Sequence, residues 1–158
     1  MKIILGFAFG NREEYGPGLT NWSIARHIAD HYSKDCIIAV QHEIGTALRG
    51  LGIKPHFEVK EHGQKPGAYL DTVEVARQLK NFCDTLDNQD AEIYVVAHQD
   101  HMDRVVNVLL KSGFHTLVLT KHESPYVPHS HQIWTRSRKL FKFREWLAYP
   151  YYILTGQA

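Results

Sequence analysis

The chain has 158 residues, one domain's worth against a prior of roughly 100 to 200 residues per domain, so two full domains are not expected. Hydrophobic residues make up 44% and charged residues 22%, with three Trp, eight Tyr and seven Phe. That excludes disorder over most of the length, and a chain of this size buries roughly 70% of its unfolded surface without disulfides or structural metal. Eighteen Lys and Arg against seventeen Asp and Glu, a formal charge of +1, lack the basic excess of a protein that tracks nucleic acid.

Lys2 to Ala8 is an apolar run of strand length that ends in Gly6, Phe7, Ala8, Phe9 and Gly10, the pattern of a buried parallel strand opening into a loop. The run is too short for a membrane span and no signal-cleavage pattern follows it, so a cytoplasmic protein is expected. Cys36 and Cys83 lack CxxC spacing, which fits reduced thiols. After the turn residues Gly16, Pro17 and Gly18, Thr20 or Asn21 is placed to cap a helix reaching Tyr32. Cys36 to Val40 reads as a second strand, Glu43 to Arg49 as a short helix closed by Gly50, and Lys54 to Val59 as a weaker strand interrupted by Pro55. A polar loop, Glu61 to Gly67, leads to an amphipathic helix from about Tyr69 to Leu86, with Asp71 and Thr72 at its entry. Glu92 to Ala97 is the fourth strand, His98 to His101 its loop, and a helix follows to Ser112 before Gly113. His115 to Thr120 is the fifth strand. A two-proline loop, Lys121 to Gln132, precedes a terminal helical segment, Thr135 to Leu154, that Pro150 kinks or divides. In the basic stretch Arg136 to Trp146, the pattern puts Trp134, Leu140, Phe141 and Trp146 inward and Lys and Arg outward.

Strands alternating with helices imply an α/β, Rossmann-like doubly wound domain of about five mainly parallel strands with helices on both faces. Ligands of such sheets bind beyond the C-terminal strand ends where strand order reverses. The segments expected to converge there are Gly6 to Gly10, Gln41 to Glu43, Lys60 to Gly67 with the helix entry at Asp71 and Thr72, and His98 to His101.

These segments resemble the bacterial YdcF-like family, which includes SanA and ElyC. The resemblance rests on the strand Ile3 to Gly10, the helix bearing Arg26, Glu43 opening a short helix, Thr72 with Glu74, the tetrapeptide His101-Met102-Asp103-Arg104 after a strand, and an aromatic helix, Trp146 to Gly156. It covers nearly the whole chain in order, and the tetrapeptide is its most specific part. Where family members carry successive glycines after the first strand, this chain has Phe7, Ala8 and Phe9. The resemblance implies a Rossmann-like fold, the soluble branch and a link to cell-envelope metabolism.

The residues themselves point to an anion site. His101 and Arg104 share one face of a first helical turn, where free N–H groups, the helix dipole and a guanidinium fork suit phosphate or carboxylate. The expected partner is therefore a small anionic or nucleotide-like ligand, an adenosyl compound among the candidates, held by Gly6, Phe7, Ala8, Phe9, Gly10, Thr72, His98, Asp100 and Arg104. If the protein is an enzyme, His101 is the candidate acid or base, with Glu43 or Glu74 orienting substrate or His101. Simple helix capping explains Asp100, Asp71 and Glu43 equally well. Eleven histidines, with His98 and His101 beside Asp100 and Asp103 and with His129 and His131 in a long loop, raise metal-assisted phosphoester hydrolysis as an alternative. No HExxH or comparable ligand set supports it, and no metal site is assigned. A noncatalytic sensor or scaffold is the other alternative. GxSxG and GxGxxG are both absent.

Overall fold

The computed structural model describes residues 1–10, 16–32, 35–63, 70–86 and 91–154. Among them the chain runs β1 (Lys2–Gly6), α1 (Gly18–His31), β2 (Ile37–Gln41), α2 (His42–Gly50), β3 (Phe57–Val59), α3 (Thr72–Asp84), β4 (Glu92–Val96), α4 (Met102–Lys111), β5 (Leu117–Leu119), a 3-10 turn (Ile133–Thr135) and α5 (Arg138–Leu154). The strands form one sheet in the order β3-β2-β1-β4-β5, and every pairing is parallel. This is the Rossmann-like doubly wound arrangement, and strand order reverses between β1 and β4.

Because side chains alternate along a strand, each strand supplies both faces. On one face Ile3, Leu5, Phe7, Ile93 and Val95 pack with Val75 and Leu79 of α3 and Val105 and Leu109 of α4. On the other, Ile4, Ile38 and Val40 pack with Ile24 and Ile28 of α1 and Ile44 and Leu48 of α2. The continuous apolar runs of β1, β2 and β4 follow from burial on both sides.

Several element ends differ from the sequence reading. The α1 helix begins at Gly18, with Pro17 rather than Thr20 or Asn21 at its cap. Both polar residues are buried instead. The Asn21 amide accepts from Phe9 N (3.0 Å) and donates to Pro17 O (2.7 Å), while Thr20 donates to Pro125 O (2.6 Å). They tie the loop after β1 and the loop after β5 to one helix. The third strand starts only at Phe57, because Pro55 has no N–H to contribute; the first inter-strand bond is His56 N to Ile38 O (2.8 Å). Gly50 lies inside α2 rather than beyond it, where a side chain would collide with the Trp22 ring. The α3 helix ends at Asp84; its expected start at Tyr69, like much of the loop before it, lies outside the described residues. Pro150 sits within α5 without ending it.

The loop after β5 crosses the C-terminal strand ends. Gln99 and Ser124 exchange reciprocal bonds (Ser124 N to Gln99 Oε1, 2.9 Å; Gln99 Nε2 to Ser124 O, 3.1 Å), and Tyr126 donates to Asp100 (2.7 Å). The loop is thereby fixed over β4 and delivers the chain to α5.

Candidate functional site

A cavity of about 600 Å³ opens at the C-terminal ends of the strands. Its wall takes Phe7 to Gly10 from the end of β1, Gln41 and Glu43 around the start of α2, Lys60 to His62 after β3, Asp71 and Thr72 at the start of α3, and His101, Arg104 and Val108 from α4. The far side is built by Gln132, Trp134 and Thr135 and by Phe141, Arg144, Tyr151 and Tyr152 of α5. The convergence expected of the strand-end segments is therefore seen, with α5 as an added wall.

Of the residues expected to form the site, Phe7, Ala8, Phe9, Gly10, Glu43, Thr72, His101 and Arg104 line the cavity. Gly6, Glu74, His98 and Asp100 lie off its wall, each for a physical reason. A Cβ on Gly6 would stand 2.7 Å from Val40 Cγ1 and 3.3 Å from Ile44 Cδ1, so this glycine permits close packing between β1, β2 and α2. Glu74, 5% exposed, accepts from Arg77 Nε (2.8 Å) and Nη2 (2.7 Å), Gln78 Nε2 (2.7 Å) and Gly63 N (2.8 Å). The Arg77 bonds, joined by those from Gln78 and Gly63, outweigh burial and hold its carboxyl down at about 2. Glu74 thus anchors the loop that brings Lys60, Glu61 and His62 to the cavity. Asp71 caps α3 by accepting from Glu74 N (2.8 Å).

His98 is fully buried. Its ring stacks on Phe9 (centroids 3.9 Å apart, planes 10° apart), with Tyr126 edge-on at 4.6 Å. Burial, the largest influence, lowers its pKa to about 4, so the ring is neutral at physiological pH. Asp100 accepts from Tyr126 and Arg138. Burial alone would raise its pKa, but these bonds outweigh it and hold it below the ordinary carboxylate value. Phe9 also packs on Phe141 at 5.0 Å. The bulky residues after β1 therefore fill the crevice between β1 and β4 with an aromatic stack, and the cavity opens beside it.

Arg104 is the keystone of the cationic wall. Its Nε and Nη2 meet His101 Nδ1 (3.3 and 3.1 Å), and its Nη1 donates to Glu145 Oε1 (3.1 Å) and to Tyr152 Oη (2.5 Å). Since a guanidinium only donates, His101 accepts at Nδ1 and carries its proton on Nε2. Burial first, and the Arg104 charge second, hold the His101 pKa well below the usual value. Arg144 donates to the same Glu145 oxygen (2.6 Å) and lies 5.2 Å from the Trp134 ring centroid. Two guanidiniums on the cavity wall thus share one internal carboxylate. The α4 helix starts beside them with no side-chain cap, and its first-turn N–H groups point out of the helix end.

No family model, curated protein or solved structure matches this chain. Arg26, matched to the helical Arg of the resemblance, is exposed and pairs with Asp30 at 3.6 Å on the surface of α1. Among the described residues, no three His, Cys, Asp or Glu side chains converge as a metal site. His98 Nδ1 already accepts from Asp100 N (3.2 Å), His101 Nδ1 faces Arg104, and His129 and His131 are exposed. Sequence reasoning missed the contribution of α5. Only the inward recurrence of Phe141, Arg144, Glu145 and Tyr152 at helical spacing signals it, and Trp146 and Leu140, expected inward, are 71% and 40% exposed. Phe141 is the one of the three expected α5 residues that is buried.

Proposed function

We propose that this chain is a YdcF-like domain that binds a small anionic or nucleotide-like ligand in the strand-end cavity. The observation that carries the reading is the pair of guanidiniums, Arg104 and Arg144, bridged by Glu145 beside the uncapped start of α4. Glu145 accepts from both guanidiniums, and a ligand phosphate or carboxylate satisfies the same donors, assisted by the helix dipole. At the opposite wall, Gln41, Glu43, Asp71 and Thr72 offer acceptors and donors for sugar hydroxyls or an amine, and Trp134 and Tyr151 offer rings for a base. An adenosyl compound combines all three features.

The binding-module form of this reading is favoured over general-base catalysis at His101 Nδ1. A general base needs a free lone pair within reach of substrate, and the Nδ1 lone pair of His101 is taken by Arg104. Thermal-shift and calorimetric titration with ATP, S-adenosylmethionine, a sugar phosphate and divalent metal ions test the proposal, because a native-state ligand raises the melting temperature. Arg144→Ala should weaken an anionic ligand about tenfold to a hundredfold, the worth of one charge-assisted hydrogen bond. Binding of an anion with unchanged affinity in Arg144→Ala would move the ligand elsewhere. Stabilisation by metal alone, with turnover of a phosphoester abolished by chelator, would replace this reading with metal-assisted hydrolysis.

A further inference from the structure

The α5 helix exposes large apolar side chains as well as lysines. Its protein-facing side carries Arg144 and Glu145 between Phe141 and Tyr152, whereas Phe143 (58%), Trp146 (71%), Leu147 (57%) and Ile153 (58%) stand exposed, flanked by Tyr149. Four large apolar side chains exposed on one helix mark a surface that meets something other than water. Its polar composition says what. Lys139 and Lys142 are exposed on the same helix, and the only acid in α5, Glu145, is turned inward to Arg104 and Arg144.

We propose that the outer face of α5 docks on the interface of an anionic lipid bilayer. Trp and Tyr favour the headgroup boundary, where their rings are apolar and their N–H or O–H groups wet. Phe143, Leu147 and Ile153 enter the acyl boundary, and Lys139 and Lys142 reach anionic headgroups. The 17-residue helix, about 25 Å long at 1.5 Å per residue, lies in the interface plane; among the described residues no helix is long and apolar enough to cross a membrane. A second copy is a poorer occupant. A two-fold contact through α5 brings two cationic helix faces together with no outward acid on either. The docking face is the opposite side of α5 from the cavity, so this inference stands independently of the ligand.

The test is co-sedimentation of the full chain with vesicles of phosphatidylcholine alone and of phosphatidylcholine mixed with phosphatidylglycerol. Binding to the mixed vesicles that weakens with added salt is expected. Lys139→Gln with Lys142→Gln should weaken it about twenty-five-fold, the product of about fivefold per lysine at an anionic surface. Phe143→Ser with Trp146→Ser should abolish it while leaving the far-ultraviolet circular dichroism unchanged, because both side chains are more than half exposed. Failure to pellet with either vesicle, or equal pelleting by the lysine variant and the parent, overturns the proposal. So does sedimentation velocity showing a dimer without lipid that the Phe143→Ser, Trp146→Ser variant dissociates, since the face would then join two copies.

Discussion

Glu74 offers a quantitative check on the division between structural and site residues. Its carboxyl titrates at about 2 instead of 4.5 because Arg77, Gln78 and Gly63 bond to the ionised form. That difference corresponds to about 3 kcal/mol favouring the folded state. Arg77 is 38% exposed, so water screens part of the attraction, and about 2 kcal/mol is the expected contribution. The folded-state pKa is depressed, so the stabilisation is fully present above pH 4.5 and is lost as pH falls towards 2. Glu74→Gln removes the charge while keeping the side chain's shape. Urea unfolding of parent and variant, followed by circular dichroism, should show the variant weaker by about 2 kcal/mol at neutral pH, roughly a 1 M lower midpoint for a slope of about 2 kcal/mol/M. The two stabilities should converge as pH falls through 4 towards 2. An offset that persists undiminished at pH 3, or no offset at neutral pH, would refute the assignment of Glu74 to the loop anchor.

Gly6→Ala should cost about 1 to 3 kcal/mol through overpacking against Val40 and Ile44, read from the urea midpoint; an unchanged midpoint would mean that the site has room. Phe9→Ala removes the ring stacked on His98 and packed on Phe141. It should destabilise by about 3 to 5 kcal/mol, and by admitting water it should raise the His98 pKa from about 4, measured by NMR titration of the imidazole. In the same titration, the His101 ring should stay neutral where an ordinary imidazole takes up its proton, and Arg104→Gln should raise its pKa without restoring the ordinary value, because burial is the larger cause. A His101 that titrates normally in the parent protein would free it for acid–base chemistry.

The sheet was legible in the chain because its signals are local. Apolar runs such as Ile3 to Leu5 and Ile93 to Val96, separated by helical periodicities, specify parallel strands buried on both faces, and the connectivity rules for crossovers leave few topologies. The strand-end rule then pointed to Phe7 to Gly10, Glu43, Thr72, His101 and Arg104, which line the cavity. What the chain alone could not reveal was the partner of each polar group. Glu74 and Thr72 share the same turn of helix, yet Gly63 and Arg77 claim the first for the loop while the second faces the cavity. His98 and His101 are three residues apart, yet the first is stacked under Phe9 and the second is held by Arg104. The α5 helix is the clearest case: its apolar pattern reads in more than one rotation, and the tertiary pairing of Arg104 with Glu145 and Tyr152 turns those two inward beside Phe141 and leaves Trp146 outside. Periodicity determines that a helix has two faces; contacts from distant segments decide which one the protein keeps.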